Sequence, residues 1–145
     1  MNASELTPSL EDYLEAILRL ERKNRVARVK DIAQLLDVQM PSVTGALKNL
    51  RSKELVNYEK NSFISLTDKG LEIARAVEGK HELLAEFLAK ILLIPREKAQ
   101  AEACEIEHVV GPATSQRIKK LTVYLEKELF QSGRVSPQDW KKIIS

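Results

Sequence analysis

Asp31 to Leu50 reads DIAQLLDVQMPSVTGALKNL. Two apolar clusters flank a short polar break. Ile32, Ala33, Leu35 and Leu36 form the apolar side of a first helix, roughly Lys30 to Leu36. Val43, Leu47 and Leu50, at i, i+4 and i+7, do the same for a second helix that opens near Pro41. Proline suits a first turn, because the amide hydrogen it lacks would find no partner there. Asp37-Val38-Gln39 is the break. Two helices meeting at a steep angle need a small residue where they approach, and Ala33 supplies one. The second helix then carries Gln39, Ser42, Thr44 and Lys48 opposite its apolar side or at its leading end. Such a helix can lie in a DNA major groove. Gln bonds adenine edges, Ser and Thr adapt to either base, and the Pro41 ring or a Thr methyl can touch a thymine methyl.

The same local pattern also describes a helical hairpin with ordinary solvated lysines, so the flanking sequence decides. Leu55–Glu59 and Phe63–Leu66 are rich in β-branched and aromatic residues, with turn residues Lys60-Asn61-Ser62 between them. A β-hairpin directly after a helix-turn-helix is a wing, with Lys60 at its tip. Arg28, Lys30, Lys48, Arg51, Lys53 and Lys60 surround this unit, where they can meet phosphates.

Upstream, Thr7 and Pro8 cap and open a helix in which Leu10, Leu14, Ile17 and Leu18 recur to about Glu21. Downstream, Thr67 or Asp68 caps a long helix with Leu71, Ala74, Val77, His81, Leu84, Leu88 and Ile91 along one stripe, ended by Pro95. Gly79 weakens it by about 1 kcal/mol relative to alanine and is a candidate bend. A helix from about Glu97 to Val110 follows and stops at Gly111-Pro112. Another starts at Thr114 or Ser115, with Ile118, Leu121, Leu125 and Leu129 on one face. Ser136-Pro137 caps a short last helix bearing Trp140. The predicted fold is mainly α: a winged helix-turn-helix with a small β-hairpin wing over residues 1–70, then an α-helical domain over residues 71–145.

Composition agrees with a globular chain. Of 145 residues, 43% are hydrophobic, enough for a core, and 30% are charged, well mixed in sign. A net charge of +2 is too small for general affinity to nucleic acid, so any basic surface must be local. One cysteine rules out an intrachain disulfide and suits a reducing compartment. The start, MNASELTPSLEDY, lacks the basic and apolar regions of a signal peptide. The longest strongly apolar run, Ile91–Ile94, cannot span a bilayer. A cytoplasmic protein with no membrane partner is expected.

A second stretch, EACEIEH from Glu102 to His108, holds the one cysteine and one of the two histidines. Cys104, Glu107 and His108 stand at i, i+3 and i+4, so on a helix they share a face. Thiolate, carboxylate and imidazole are all metal ligands. A buried thiol beside solvated Glu and His would look the same locally. His81 on an apolar stripe equally suits a satisfied core histidine, and Asp12 and Glu15 suit acids near a helix N-terminus.

TPSLEDYLEAI, DIAQLLDVQMPSVTGALKNL, YEKNSFISLTDKG, KHELLAEFL and EACEIEHVV, in that order, resemble the metal-dependent repressors that include the diphtheria toxin repressor and the manganese transport regulator. The resemblance covers about Thr7 to Leu129 and implies a winged-helix DNA-binding domain, an α-helical dimerisation domain and a metal site. The chain ends without the Src-homology-3-like domain of the longer members, which implies the short, manganese-regulator-like architecture. Position by position, Asp12 and Glu15 match the first-helix acids of the manganese branch, His81 its long-helix histidine, and Glu107 and His108 the pair shared by both branches. Cys104 matches the iron branch, where the manganese branch has glutamate. The ancillary site of the iron branch has a glutamate and a histidine where this chain has Ala85 and Gln100. Gly45 replaces a groove-facing glutamine, so base readout is expected to be thinner.

The resemblance therefore implies one or two divalent ions per subunit held by Asp12, Glu15, His81, Cys104, Glu107 and His108. Two M²⁺ ions cancel the charge of three carboxylates and a thiolate; one cannot. Carboxylates suit Mn(II) and Fe(II), and the thiolate pulls toward Fe(II), Co(II) or Zn(II); iron is slightly favoured, and zinc or cobalt is expected to bind in vitro. The expected partner is double-stranded operator DNA, bound by a homodimer, with repression of metal-uptake genes as the outcome and no further protein partner evident. The Ile118–Leu129 stripe is a candidate dimer surface or intrachain core. A metal-independent winged-helix regulator responding to a small molecule is the alternative. Catalysis is disfavoured: a di-iron bundle needs two Glu-x-x-His motifs, only Glu105–His108 provides one, and no nucleophile–base pair or Gly-rich phosphate loop is evident.

Overall fold

The computed structural model describes residues 6–60 and 62–145. Residues 1–5, at the start read as lacking a leader, and Asn61, the middle of the expected turn, lie outside the described residues. Contacts divide the chain into two compact units, residues 1–78 and 79–145.

The first unit opens with α1 (Pro8–Asn24), three residues longer than its apolar repeat predicts. Thr7 Oγ1 accepts from the Leu10 amide at 3.2 Å, and Pro8 fills the first helical position. Helices α2 (Val29–Leu36) and α3 (Met40–Ser52) follow. The break between them is made by Asp37, which turns left-handed (φ 53°), a conformation that short polar side chains tolerate best after glycine. Val38 N–H closes the end of α2 on the Ala33 carbonyl at 3.0 Å.

The wing is slighter than the sequence predicts. Strands β1 (Val56–Asn57) and β2 (Ser65–Leu66) pair antiparallel over two residues each, Val56 with Leu66 and Asn57 with Ser65. A bridge between Ala27 and Ile64 extends the pairing toward α2. Leu14, Ile17, Ile32, Val43, Leu47, Leu50, Leu55 and Ile64 are fully buried in one core. Each such side chain stabilises by about 1.5–3 kcal/mol. The periodic positions of α1 and α3 thus meet as their spacing predicts.

Helix α4 (Asp68–Glu86) starts at Thr67, whose Oγ1 accepts from Gly70 N–H at 3.1 Å. Gly70 is required there, because an added Cβ would stand 1.9 Å from the Leu55 carbonyl oxygen. The two units divide between Glu78 and Gly79 of this helix.

In the second unit α4 runs into a π turn, Phe87–Ile91. Helix α5 (Arg96–Ile106) is four residues shorter than expected at its C-terminal end. Helix α6 (Pro112–Tyr124) begins at Pro112 itself, not at Thr114 or Ser115, and passes into a second π segment, Leu125–Gln131. Helix α7 (Pro137–Ile144) is capped by Ser136, whose Oγ accepts from Asp139 N–H at 3.1 Å. Leu84, Ala85, Leu88, Ala99 and Ala103 form this unit's core. The alanines let α5 lie close on α4. Trp140 donates its indole N–H to the Ile91 carbonyl at 2.7 Å and meets Phe130 edge to face at 5.3 Å. Leu121 is 47% exposed, whereas Ile118, Leu125 and Leu129 are half-buried. Among the described residues no helix is long and apolar enough to cross a membrane.

Candidate metal centre and nucleic-acid interface

Three donor atoms converge in the second unit. His81 comes from α4, Cys104 from α5, and Glu107 from the residue that caps the end of α5. Their ligand atoms all lie within 4.8 Å of one another. Bonds of about 2.0–2.3 Å put two ligands of one ion at most about 4.5 Å apart, so a small closing of these side chains would complete a single coordination shell. Nitrogen, sulfur and oxygen together suit a first-row transition metal.

Burial and local geometry set the character of the site. The His81 and Glu107 side chains are 7% and 0% exposed, while Cys104 is exposed. His81 Nδ1 lies 2.7 Å from Glu107 Oε2, and His81 Nε2 lies 2.6 Å from Gln100 Oε1. Glu107 keeps helical dihedrals and its N–H bonds Ala103 O at 2.9 Å, so it still projects in register with Cys104. His108 is already in the following turn. Its Nε2 lies 3.5 Å from Glu107 Oε1, with its side chain 5% exposed. The single helical face expected for Cys104, Glu107 and His108 is therefore a helix end plus a turn.

Asp12 and Glu15 stand on α1 in the first unit, half-buried and buried. Glu15 Oε1 accepts from Arg19 at 2.7 Å. Glu11, which carries no site signal in the sequence, is buried there too. Gln100 stands in the sequence only as a departure from the iron branch's ancillary site; its contact with His81, on another helix, has no local sequence signal.

The first unit also carries a basic groove. Arg28, Thr44, Lys48, Arg51 and Lys60 line it, together with Met40, Tyr58 and Phe63. Lys30, Gln39, Pro41 and Ser42 are exposed but lie outside the groove lining. Thr44 Oγ1 donates to the Pro41 carbonyl at 3.0 Å, which occupies its hydrogen. Arg51 donates to the Tyr58 carbonyl at 3.0 Å and lies over that ring. Arg28 sits 5.0 Å above the Phe63 ring. Met40 and Phe63 are 50% and 53% exposed. Their hydrophobic character marks them as core candidates in sequence, which is why they were missed.

Residues 5–63 match the model of the iron dependent repressor N-terminal DNA binding domain, and residues 67–131 match that of its metal binding and dimerisation domain. A helix-turn-helix-type transcriptional regulator, MntR of Bacillus subtilis, is 38% identical over 122 residues, covering 84% of this chain and 85% of that protein. The chain belongs to the iron-dependent repressor family. An uncharacterized regulator of the same helix-turn-helix type from Methanocaldococcus jannaschii is 35% identical over 123 residues, covering 84% of this chain and 96% of that one. Among solved structures, the manganese regulator SloR superposes with a TM-score of 0.72 at 32% identity, over 82% of this chain and 55% of that one. The IdeR protein of T. acidophilum gives 0.70 at 29% identity, over 77% and 52%. The chain spans about half the length of these solved regulators. Membership in the iron-dependent repressor family makes it a DNA-binding transcriptional regulator and not an enzyme.

Proposed function

We propose that this protein is a metal-activated repressor that binds operator DNA as a homodimer and controls metal-uptake genes in response to Fe(II) or Mn(II). The observation that carries the reading is the convergence of His81, Cys104 and Glu107 donor atoms within 4.8 Å. His108, beside Glu107, is proposed as a fourth ligand. Asp12 and Glu15 are proposed as the remaining ligands, on their match to the manganese branch. The ion supplies positive charge that a carboxylate-rich, thiolate-bearing set needs in order to stay together.

Arg28, Lys30, Lys48, Arg51 and Lys60 are proposed to meet phosphates, and Gln39, Pro41, Ser42 and Thr44 to approach base edges. An ion and an operator that favour the same conformer share one linked equilibrium. A coupling of about 1–3 kcal/mol changes operator affinity about 5–150-fold, and DNA must tighten the ion by the same factor. Cytoplasmic residence follows from the proposed role.

The decisive experiment titrates operator binding with Mn²⁺, Fe²⁺ under anaerobic conditions, and Zn²⁺. Activation by an ion, reversed by a chelator, is expected. Operator binding indifferent to both would replace this reading with a metal-independent winged-helix regulator.

A further inference from the structure

His81 is 5% exposed and has a partner at each ring nitrogen, Glu107 at Nδ1 and Gln100 at Nε2. The two contacts differ in kind. The contact with Glu107 Oε2 carries a proton on either partner. The contact with Gln100 is made through the amide oxygen, which can only accept, so Nε2 must keep its hydrogen.

We infer that Gln100 is a positioning residue of the metal centre: its amide oxygen holds His81 in the Nε2–H form and presents the Nδ1 lone pair to the cluster with Cys104 and Glu107. The inference rests on the metal-activated reading above. A neutral imidazole has one N–H, and the hydrogen bond made by one nitrogen decides which nitrogen can ligate a metal. When Nδ1 ligates, the ring's hydrogen must sit on Nε2, and a buried N–H without an acceptor costs about 1–3 kcal/mol. Gln100 Oε1 is in place to take it at 2.6 Å. Gln100, Cys104 and Glu107 stand at i, i+4 and i+7 of α5 and its cap, so one helix end delivers two ligands and the residue that orients a third.

The test uses the full chain, ¹⁵N-labelled and loaded with Zn²⁺. Long-range ¹H–¹⁵N correlation spectra read the His81 tautomer directly, and competition with a chromophoric chelator reads Zn²⁺ affinity. The wild type is expected to show the Nε2–H form with Nδ1 bound. Gln100→Ala should weaken Zn²⁺ binding about 10–100-fold in protein that circular dichroism shows to be folded. Gln100→Glu keeps an acceptor and should recover most of the affinity. An Nδ1–H ring, or Zn²⁺ bound as tightly by Gln100→Ala as by the wild type, overturns the inference and leaves the metal reading standing. A wild type that binds no Zn²⁺ overturns both.

Discussion

Nδ1 of His81 and Oε2 of Glu107 stand 2.7 Å apart across 26 residues of chain, one on the long helix and the other at the end of the next. Both side chains are almost fully buried. A buried imidazole against a buried carboxylate is costly to assemble for packing alone, since two apolar side chains of similar volume would do as well or better. Beside an exposed thiol whose sulfur lies within 4.8 Å, the pair fits the ligand role proposed for it above.

Removing that carboxylate should uncouple the protein from metal. Glu107→Ala is expected to lose ion binding measured by calorimetry, and its operator binding should no longer respond to added Mn²⁺ or Fe²⁺. Since Glu107 is buried, Glu107→Gln serves as the variant that preserves volume. Unchanged metal response in both would remove Glu107 from the ligand set.

As a proposed ligand, Cys104 is expected to tune the choice of ion. Cys104→Glu replaces a soft donor by a hard one and should shift activation toward Mn²⁺ relative to Co²⁺. Cys104→Ser should abolish the sulfur-to-metal charge-transfer band of the Co²⁺ form. Identical activation profiles and spectra would show that the thiol does not ligate.

Lys48 lines the basic groove with no base-specific geometry of its own. Lys48→Ala should weaken binding almost equally to operator and random duplex, and should reduce the slope of log K against log salt by about 1. A loss confined to the operator would instead make Lys48 a base reader. Filter binding or anisotropy at several salt concentrations separates the two.

Two backbone positions give stability predictions of opposite sign. Gly70→Ala drives a Cβ to within 1.9 Å of the Leu55 carbonyl oxygen, and overpacking of this kind costs about 1–3 kcal/mol. Glu54 is left-handed (φ 59°), which costs about 1–2 kcal/mol for a residue with a side chain. Its carboxylate is 82% exposed and only 4.0 Å from Lys69, so little is lost on removal. The unfolded-state entropy of glycine offsets about 0.5–1 kcal/mol, and Glu54→Gly should gain about 0.5–1 kcal/mol net. Urea unfolding midpoints measure both.

Local signals in the sequence carried most of the architecture. Pro8, Pro41 and Pro137 each sit in a first helical turn where an early proline was expected. Gly111-Pro112 is ambiguous in sequence, because Gly-Pro ends helices as readily as it opens them; here it does the second. The wing's extent depends on pairing between distant segments, including Ala27 with Ile64, which no local pattern specifies. The two π segments were illegible, since an extra residue per turn leaves no compositional mark. The metal candidates stood out through the scarcity of Cys and His. Gln100 did not, because an amide gains meaning only from the imidazole it touches.

Gly45 sits exposed on α3, the helix proposed to approach base edges, and a Cβ added there would meet nothing within 4 Å. Any side chain can therefore be installed without repacking the core, and most would strengthen a helix that glycine weakens by about 1 kcal/mol. For the proposed role of α3, vocabulary and scaffold are separable at this position: a single substitution is expected to alter which sites are preferred while the fold stays intact.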